Sequence, residues 1–484
     1  MKKIVLSFII LVAAAIKVFS QAYPATEIRA VWLTTNYNLD WPKNMFSVDA
    51  QKNELIQLLD ELKSLHINMV LFQTRTNDEV LYQSQIEPMY RSVAKNYGGK
   101  AFDPLAFVIE ECHKRGMECH AWLITYPLGS KNHIKSLGNA SVVKKHPQLV
   151  TLYKNQWYLD PGNPKTDDYL LSIVKEIVTN YDVDGIHFDY IRYPANCTNF
   201  FDQSEYNRYG KSQPRDNWRR SNINRFVGKV YDWVKSVKPW VMISSSPVGR
   251  YRPLLDNPND GWTAYNSVYQ DPIQWLNSGK HDAIFPMMYY RDKLFYPYLN
   301  DWMGNSKGRF VVPGLGIYQI QELGWQQKDI IDQMEYSRTK NASGNAFFRT
   351  EHLLKHNRDI LHAMKNVYYR YPAKLPPMTW LSDTLPEPPY DLRAEKTTTG
   401  FQLRWKVKNP TARLTFNVYR TKTDSLDLNN GATLLATGIR QPVFTYLPPE
   451  DDQAYYYFIT ASDSFHNESS PCVPAFFWHS ETIK

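Results

Sequence analysis

At 484 residues the chain exceeds what one ordinary hydrophobic core supports, so two domains are expected, one of them large. Aromatic content of 14%, dominated by Tyr and Trp, suits a ring-lined binding surface as well as a core. The formal charge of +8 includes Lys2, Lys3 and Lys17 of an N-terminal leader, leaving 8 − 3, nearer +5; this excess is scattered and forms no basic stripe, which argues against a nucleic-acid partner.

Lys2-Lys3, an apolar run over 4–16 and small residues around Ser20 and Ala22 predict a cleaved secretory signal over 1–22. An exported protein follows, periplasmic or extracellular and associated with the cell envelope. The run is shorter than the ~20 apolar residues of a spanning helix, so no integral span is expected once the signal is removed. Cys112, Cys119, Cys197 and Cys472 are too few and too scattered for a disulfide scaffold and lack paired zinc-ligand spacing. Most are expected to be buried thiols, with one bridge among the first three left open.

From Glu27 to about Met364, short β-branched or aromatic runs alternate with amphipathic stretches, the pattern of βα units around a parallel sheet. Strands are expected over 28–35, 67–74, 117–125, 184–190, 240–246, 283–289, 310–315 and 345–350. DAQKNELIQLLDELKSL has helical apolar spacing, and DPLAFVIEECHKRG ends on the glycine expected after a helix. These repeats predict an α/β fold, a (β/α)8 TIM-type barrel over 23–374, with long functional loops after strand three (126–165) and strand four (194–220). Prolines in LPPMTWLSDTLPEPP mark 375–389 as an interdomain linker with few crossing contacts. Beyond it, short alternating runs over 390–484 predict a small all-β sandwich. Trp405, NVYR and YYYFITASD resemble a fibronectin type III module.

The chemistry concentrates in DGIHFDYIRYP, 184–194. Strand alternation turns Ile186 and Phe188 toward the helices and Gly185, His187 and Asp189 into the barrel, with Asp189 at the carboxyl end where barrel enzymes keep catalytic groups. Asp189 is therefore the first-rank catalytic candidate; the competing reading is an ion pair with Arg75 or Arg192. Asp184, in a turn before the strand, is read as structural. His120 and His187 share the inward parity, but without HxH or HExxH spacing they are core or substrate histidines, and neither a metal nor a cofactor is expected. A glycosidase needs a second carboxylate. Asp78 and Asp292 lead that list, ahead of Glu351 and Glu322, because Asp78 follows Arg75 and Asp292 follows Tyr289-Tyr290. Phosphate loops, a dinucleotide fingerprint and a serine-hydrolase elbow are all missing from the sequence, which leaves carboxylate chemistry on a polysaccharide.

EIRAVWLTT with LDWP, DPLAFVIEECHKRGMECHAWL and DGIHFDYIRYP together resemble the glycosyl-hydrolase-like 10 family of bacterial exported proteins. The resemblance implies a (β/α)8 barrel and a glycosidase role, with members cutting peptidoglycan glycan strands. It places the motif aspartate on Asp189 and the third-strand His-Ala-Trp on His120, Ala121 and Trp122. Three positions depart from it. Tyr190 replaces the second aspartate of Asp-Asp-Tyr, Ile124-Thr125-Tyr126-Pro127 stands for Asn-Pro-Tyr-Arg, and Pro88-Met89-Tyr90 stands for Pro-Trp-Ser. The expected substrate wall comprises Arg75, His120, Trp122, His187, Tyr190, Arg192, Tyr193, Tyr289 and Tyr318. The expected activity is glycoside hydrolysis on a polysaccharide or glycan-strand partner, with a catalytically inactive carbohydrate-binding protein as the alternative; the oligomeric state is left open.

Overall fold

The computed structural model describes residues 23–95, 99, 102–197, 199–256, 261–398, 400–447 and 453–479; the expected signal, 1–22, lies outside them. Parallel strands β1 (Ile28–Leu33), β2 (Met69–Thr76), β3 (Glu118–Ile124), β4 (Gly185–Asp189), β5 (Met242–Ser245) and β6 (Ala283–Ile284) lie side by side in chain order. β7 comes in two pieces, Phe310–Val311 and Gly314–Leu315, and β8 is Gly344–Phe347. The first piece of β7 pairs with β6 and the second with β8, which pairs with β1, so the sheet path returns on itself through β7. Pro313, which has no amide to donate, separates the two pieces.

Local signals set the helices that wrap this sheet. Ser47 caps Val48–Ser64 by accepting from the Ala50 amide, and Asp103 caps Pro104–Lys114 by accepting from the Ala106 amide. Outward residues of the strands, Val70, Cys119, Ile186 and Phe188 among them, share one core with the helices. Inward residues Ile28, Trp32, Leu71, Trp122, Met242 and Phe285 fill the interior. The alternation expected for β4 holds: a Cβ added at Gly185 would fall 2.3 Å from Nδ1 of His120, inside the sheet. All four cysteines are free and buried.

The insertion over 126–165 is structured rather than loose. Short strands Pro127–Ser130, Val150–Tyr153 and Gln156–Leu159 form an antiparallel sheet over the carboxyl ends of the parallel strands. C-terminal strands form two antiparallel sheets, of three and four strands, around Phe401, Leu403, Trp405, Val418, Tyr457 and Ile459. One strand, Ala475–His479, was not anticipated by the sequence pattern.

The expectation of few crossing contacts at 375–389 fails. Met378 is buried with the interior residues of the parallel sheet, and Leu375, Trp380, Leu381 and Phe465 pack against the same cluster. Trp380 donates its indole N–H to Asp282 at 3.0 Å and stacks edge-on against Phe310 at 4.8 Å. These residues cork the amino-terminal end of the sheet, because prolines prevent a helix without preventing burial of the apolar side chains between them. Gly116 and Gly438, with φ of 65° and 69°, let the two backbones touch; a Cβ at Gly116 would meet the Thr437 carbonyl at 2.3 Å.

His466 fastens this seam. Its Nδ1 faces the Pro376 carbonyl at 3.1 Å and its Nε2 faces Glu118 at 2.6 Å, two acceptors that both require a proton. Glu118 is also bonded to Nε2 of His120 at 2.9 Å. Burial opposes the His466 charge, but Glu118 outweighs it and lifts the pKa above the ordinary value. A raised folded pKa stabilises fully below the unfolded value, about 6.5 for histidine, and that stabilisation is lost as pH rises through the folded value. The thermal midpoint of the wild type is therefore expected to fall as pH rises above about 6.5, whereas His466→Gln should be flatter across that window. Parallel curves for the two proteins would refute the assignment.

Candidate active site

Asp189 closes β4 and is 6% exposed. Its Oδ1 accepts the Tyr190 amide at 2.6 Å, and its backbone carbonyl accepts the Thr125 amide at 2.9 Å, which fixes the end of the strand. Burial raises the Asp189 pKa, against the pull of Arg192 and the Tyr190 amide. Ser246 and Trp122 also face the carboxyl group and favour its charged form. The Ser246 hydroxyl and the Trp122 indole N–H have no partner of good geometry besides this carboxyl group, and Nη1 of Arg192 is left without one. Ser246, Trp122 and Arg192 thus keep donor capacity beside one buried acid, which suits a polar ligand.

Tyr190 has a left-handed backbone, φ 48°, and its ring is 44% exposed, with the Arg192 guanidinium 4.5 Å above it. Across the mouth, Tyr289 packs edge-on against Tyr318 at 5.8 Å and lies 5.6 Å from Phe348, while Tyr318 meets His352 at 6.1 Å. Burial first, then the Asp189 charge, holds the Tyr289 phenol well above its ordinary pKa, so it stays a neutral donor. Of the expected residues, the structure thus brings together Asp189, Trp122, Tyr190, Arg192, Tyr289 and Tyr318. Ser246, Phe348 and His352 were missed. Phe348 continues the inward parity of Ala346 and could have been found from it.

Other expected site residues lie elsewhere. Arg75 is buried in an ion pair with Glu87 at 2.6 Å and donates to the Thr125 carbonyl, so it braces the mouth from beneath instead of lining it. Asp78 accepts the Ser141 hydroxyl at 2.6 Å and the Val142 amide at 3.0 Å, holding down the insertion. Burial, then Glu87, lifts its pKa to about 7, the shift expected of a general acid, but its oxygens point at the insertion. Asp292 is exposed on the short turn Asp292–Leu294, and Glu322 is exposed at the end of Gln319–Glu322. Glu351 pairs with Arg349 at 2.8 Å and Lys43 at 3.3 Å; although burial opposes it, these cations hold its carboxyl below the ordinary range. His187 accepts from Trp32 at 3.2 Å and bonds Ser244 at 2.9 Å; burial keeps it neutral in the core. His120 is likewise buried with Glu118. Tyr193 is fully buried, accepting from Asn222 at 3.1 Å and packing on Tyr269. Asp184 bonds His113 at 2.8 Å and the Cys119 amide at 2.9 Å, the structural role expected. Among the described residues there is no group of three or more His, Cys, Asp or Glu that could hold a metal ion.

Asp78→Ala is expected to cost about 1–3 kcal/mol, because it strands the buried Ser141 hydroxyl and Val142 amide. Turnover per folded molecule should change little, as melting curves with an active-site titration would show. A large loss of turnover at unchanged stability would return Asp78 to the chemistry.

The sequence profile described as glycosyl hydrolase-like 10 matches residues 27–309, more than half of the chain. The chain belongs to the glycosyl hydrolase-like 10 family. Membership places it among the glycoside hydrolases, and the curated relatives agree. It is 32% identical over 474 residues to glycosyl hydrolase YngK of Bacillus subtilis, covering 92% of each chain. It is 31% identical over 375 residues to glycosyl hydrolase DigH of Escherichia coli K12, covering 68% of this chain and 84% of the relative. Among solved structures, the glycoside hydrolase domain of PgaB (BpsB) from Bordetella bronchiseptica superposes with a TM-score of 0.50 at 16% identity, over 71% of this chain and 99% of that one. That likeness concerns the fold. It agrees with a helix-wrapped parallel sheet of TIM type.

Proposed function

We propose that the protein is an exported glycoside hydrolase acting on a bacterial or environmental polysaccharide, with peptidoglycan glycan strands as the foremost candidate. In this reading a (β/α)8 barrel over 23–374 carries the chemistry, and a fibronectin type III-like module over 390–484 is joined to it through 375–389. The observation that carries the reading is Asp189, buried at the end of β4 beside Ser246, Trp122 and Arg192 and facing a wall of tyrosines. A carboxyl group with a raised pKa in a dry site suits proton donation to a leaving glycosidic oxygen. Tyr190, Tyr289 and Tyr318 offer faces on which sugar rings stack, and Arg192, Ser246 and the Trp122 N–H offer hydroxyl partners. In the two-carboxylate scheme the second acid serves as nucleophile or activates water.

One observation favours a second reading. The carboxylates expected to partner Asp189 are engaged elsewhere or lie on exposed turns: Asp78 holds Ser141 and Val142, Glu351 pairs with Arg349 and Lys43, and Asp292 and Glu322 are exposed. A carbohydrate-binding protein that uses the mouth as a glycan groove without turnover would need no second carboxylate. Product analysis after incubation with peptidoglycan, peptide-free glycan strands and other polysaccharides separates the two, since only the hydrolase generates new reducing ends.

A further inference from the structure

A groove of about 750 Å³ opens on the same face as Asp189, between the segments that follow β1, β2 and β3. Asp189 is not among its lining residues. Its walls are rich in amides: Asn36, Asn38, Asn77, Asn132, Asn155 and Gln156. Tyr37 stands on its rim, 80% exposed. The charged groups at the floor satisfy one another: Glu79 accepts the Arg91 amide at 3.0 Å and pairs with its guanidinium at 3.5 Å, and Arg91 in turn meets His133 at 2.5 Å.

The groove is also where the backbone departs from ordinary geometry. Tyr37, Asn38, Asn77, Lys154 and Asn155 all have left-handed φ, between 46° and 66°. Lys154 and Asn155 form the two-residue turn of the hairpin Val150–Tyr153/Gln156–Leu159, where positive φ is ordinary; Tyr37 is the costlier case, and such residues gather at ligand sites. These residues come from three separate segments that line one channel. One strand runs from that channel toward the mouth. Strand Gln156–Leu159 carries Gln156 in the groove and Tyr158 two residues on, and the Tyr158 hydroxyl donates to Gln156 at 3.4 Å. Tyr158 lies within electrostatic reach of Tyr190 and Arg192 at the rim of Asp189.

We propose that this groove is a glycan-binding cleft that holds sugars of a long chain remote from the bond cut at Asp189. Asn36 and Asn77 bond one another at 2.8 Å and Asn38 accepts from Tyr90 at 3.2 Å, which leaves the Asn36 N–H groups, the Asn77 carbonyl and the Asn132 and Asn155 amides to match sugar hydroxyls and acetamido groups, while an exposed tyrosine ring matches the apolar face of a pyranose. Glu79 and Arg91 pair with one another and Lys154 remains an exposed cation at the groove, which suits a hydroxyl- and acetamido-bearing chain. Given the hydrolase reading, on which this part rests, the enzyme cuts within chains and gains efficiency from length, because binding energy from remote sugars is spent at the reacting bond.

Tyr37→Ala and Asn132→Ala, both at exposed positions, test the cleft on a short aryl glycoside, on glycol chitin and on peptide-free peptidoglycan strands. On the polymer that the wild type cleaves, kcat/KM should fall on the order of ten-fold in Tyr37→Ala, while the short substrate stays within about two-fold. Wild-type products should be oligosaccharides of mixed length from the earliest times. Equal losses on short and long substrates, unchanged cleavage of the polymer, or release of terminal units alone would overturn the inference. Affinity electrophoresis in the same polymers decides the matter even if the wild type cleaves nothing. Retardation that Tyr37→Ala weakens upholds the cleft while the hydrolase reading falls; an unretarded wild type, or equal retardation of both proteins, overturns the cleft.

Discussion

Asp189→Asn is expected to lower turnover by roughly 10²–10⁴-fold, the usual contribution of a positioned proton donor. Asparagine fills the same volume and still offers an oxygen to the Tyr190 amide, so the local hydrogen bond at 2.6 Å can persist. The wild-type carboxyl is held in a dry site that raises its pKa, so losing its charge removes no favourable ion pair on which the fold depends. The thermal midpoint should therefore barely move. Circular dichroism melts and initial rates on one glycan substrate give both numbers from the same preparation. Equal activity in the variant would remove Asp189 from the mechanism; loss of activity together with a collapsed midpoint would make it structural.

Truncation after Pro376 is expected to unfold or aggregate the remaining chain. The cut removes Met378, which is 1% exposed, together with Trp380, Leu381 and Phe465, all packed against the interior of the parallel sheet. It would leave Ile28, Met69, Met242 and Phe310 at an open floor and Glu118 without His466. Met378→Ala alone should cost about 2–5 kcal/mol, the range for a buried large-to-small change. A chain ending at 376 that stays monomeric, melts cooperatively and retains activity would show that the cork contributes little. The comparison belongs in solution, by size-exclusion chromatography and thermal melts beside the full chain.

The parallel sheet and the place of Asp189 were legible because alternation is a local property. In GIHFD, apolar Ile186 and Phe188 could only face the helices, and the strand had to end on an inward acid. What could not be read was which partner each polar side chain takes. Arg75 beside Asp78 looked like a sugar-binding pair. Folding instead sends Arg75 to Glu87, twelve residues on, and Asp78 to Ser141, sixty-three residues on, spending both. Tyr193 follows the motif aspartate closely in sequence, yet the chain turns at Tyr190 and carries it into the core. The proline-rich stretch misled in another way: prolines report the absence of helix and say nothing of whether Met378 and Trp380 between them are buried. The groove over β1 to β3 was invisible for the same reason, since its amides come from three segments that only the closed sheet brings together.

The most direct test incubates the wild type and Asp189→Asn with intact peptidoglycan, peptide-free glycan strands and a panel of other polysaccharides, and reads the products by mass spectrometry after borohydride labelling of reducing ends. New reducing ends from at least one glycan with the wild type, and only traces with Asp189→Asn, are expected. Wild-type protein that binds a glycan tightly but generates no new reducing ends from any of them would contradict hydrolysis and leave the mouth as a binding groove.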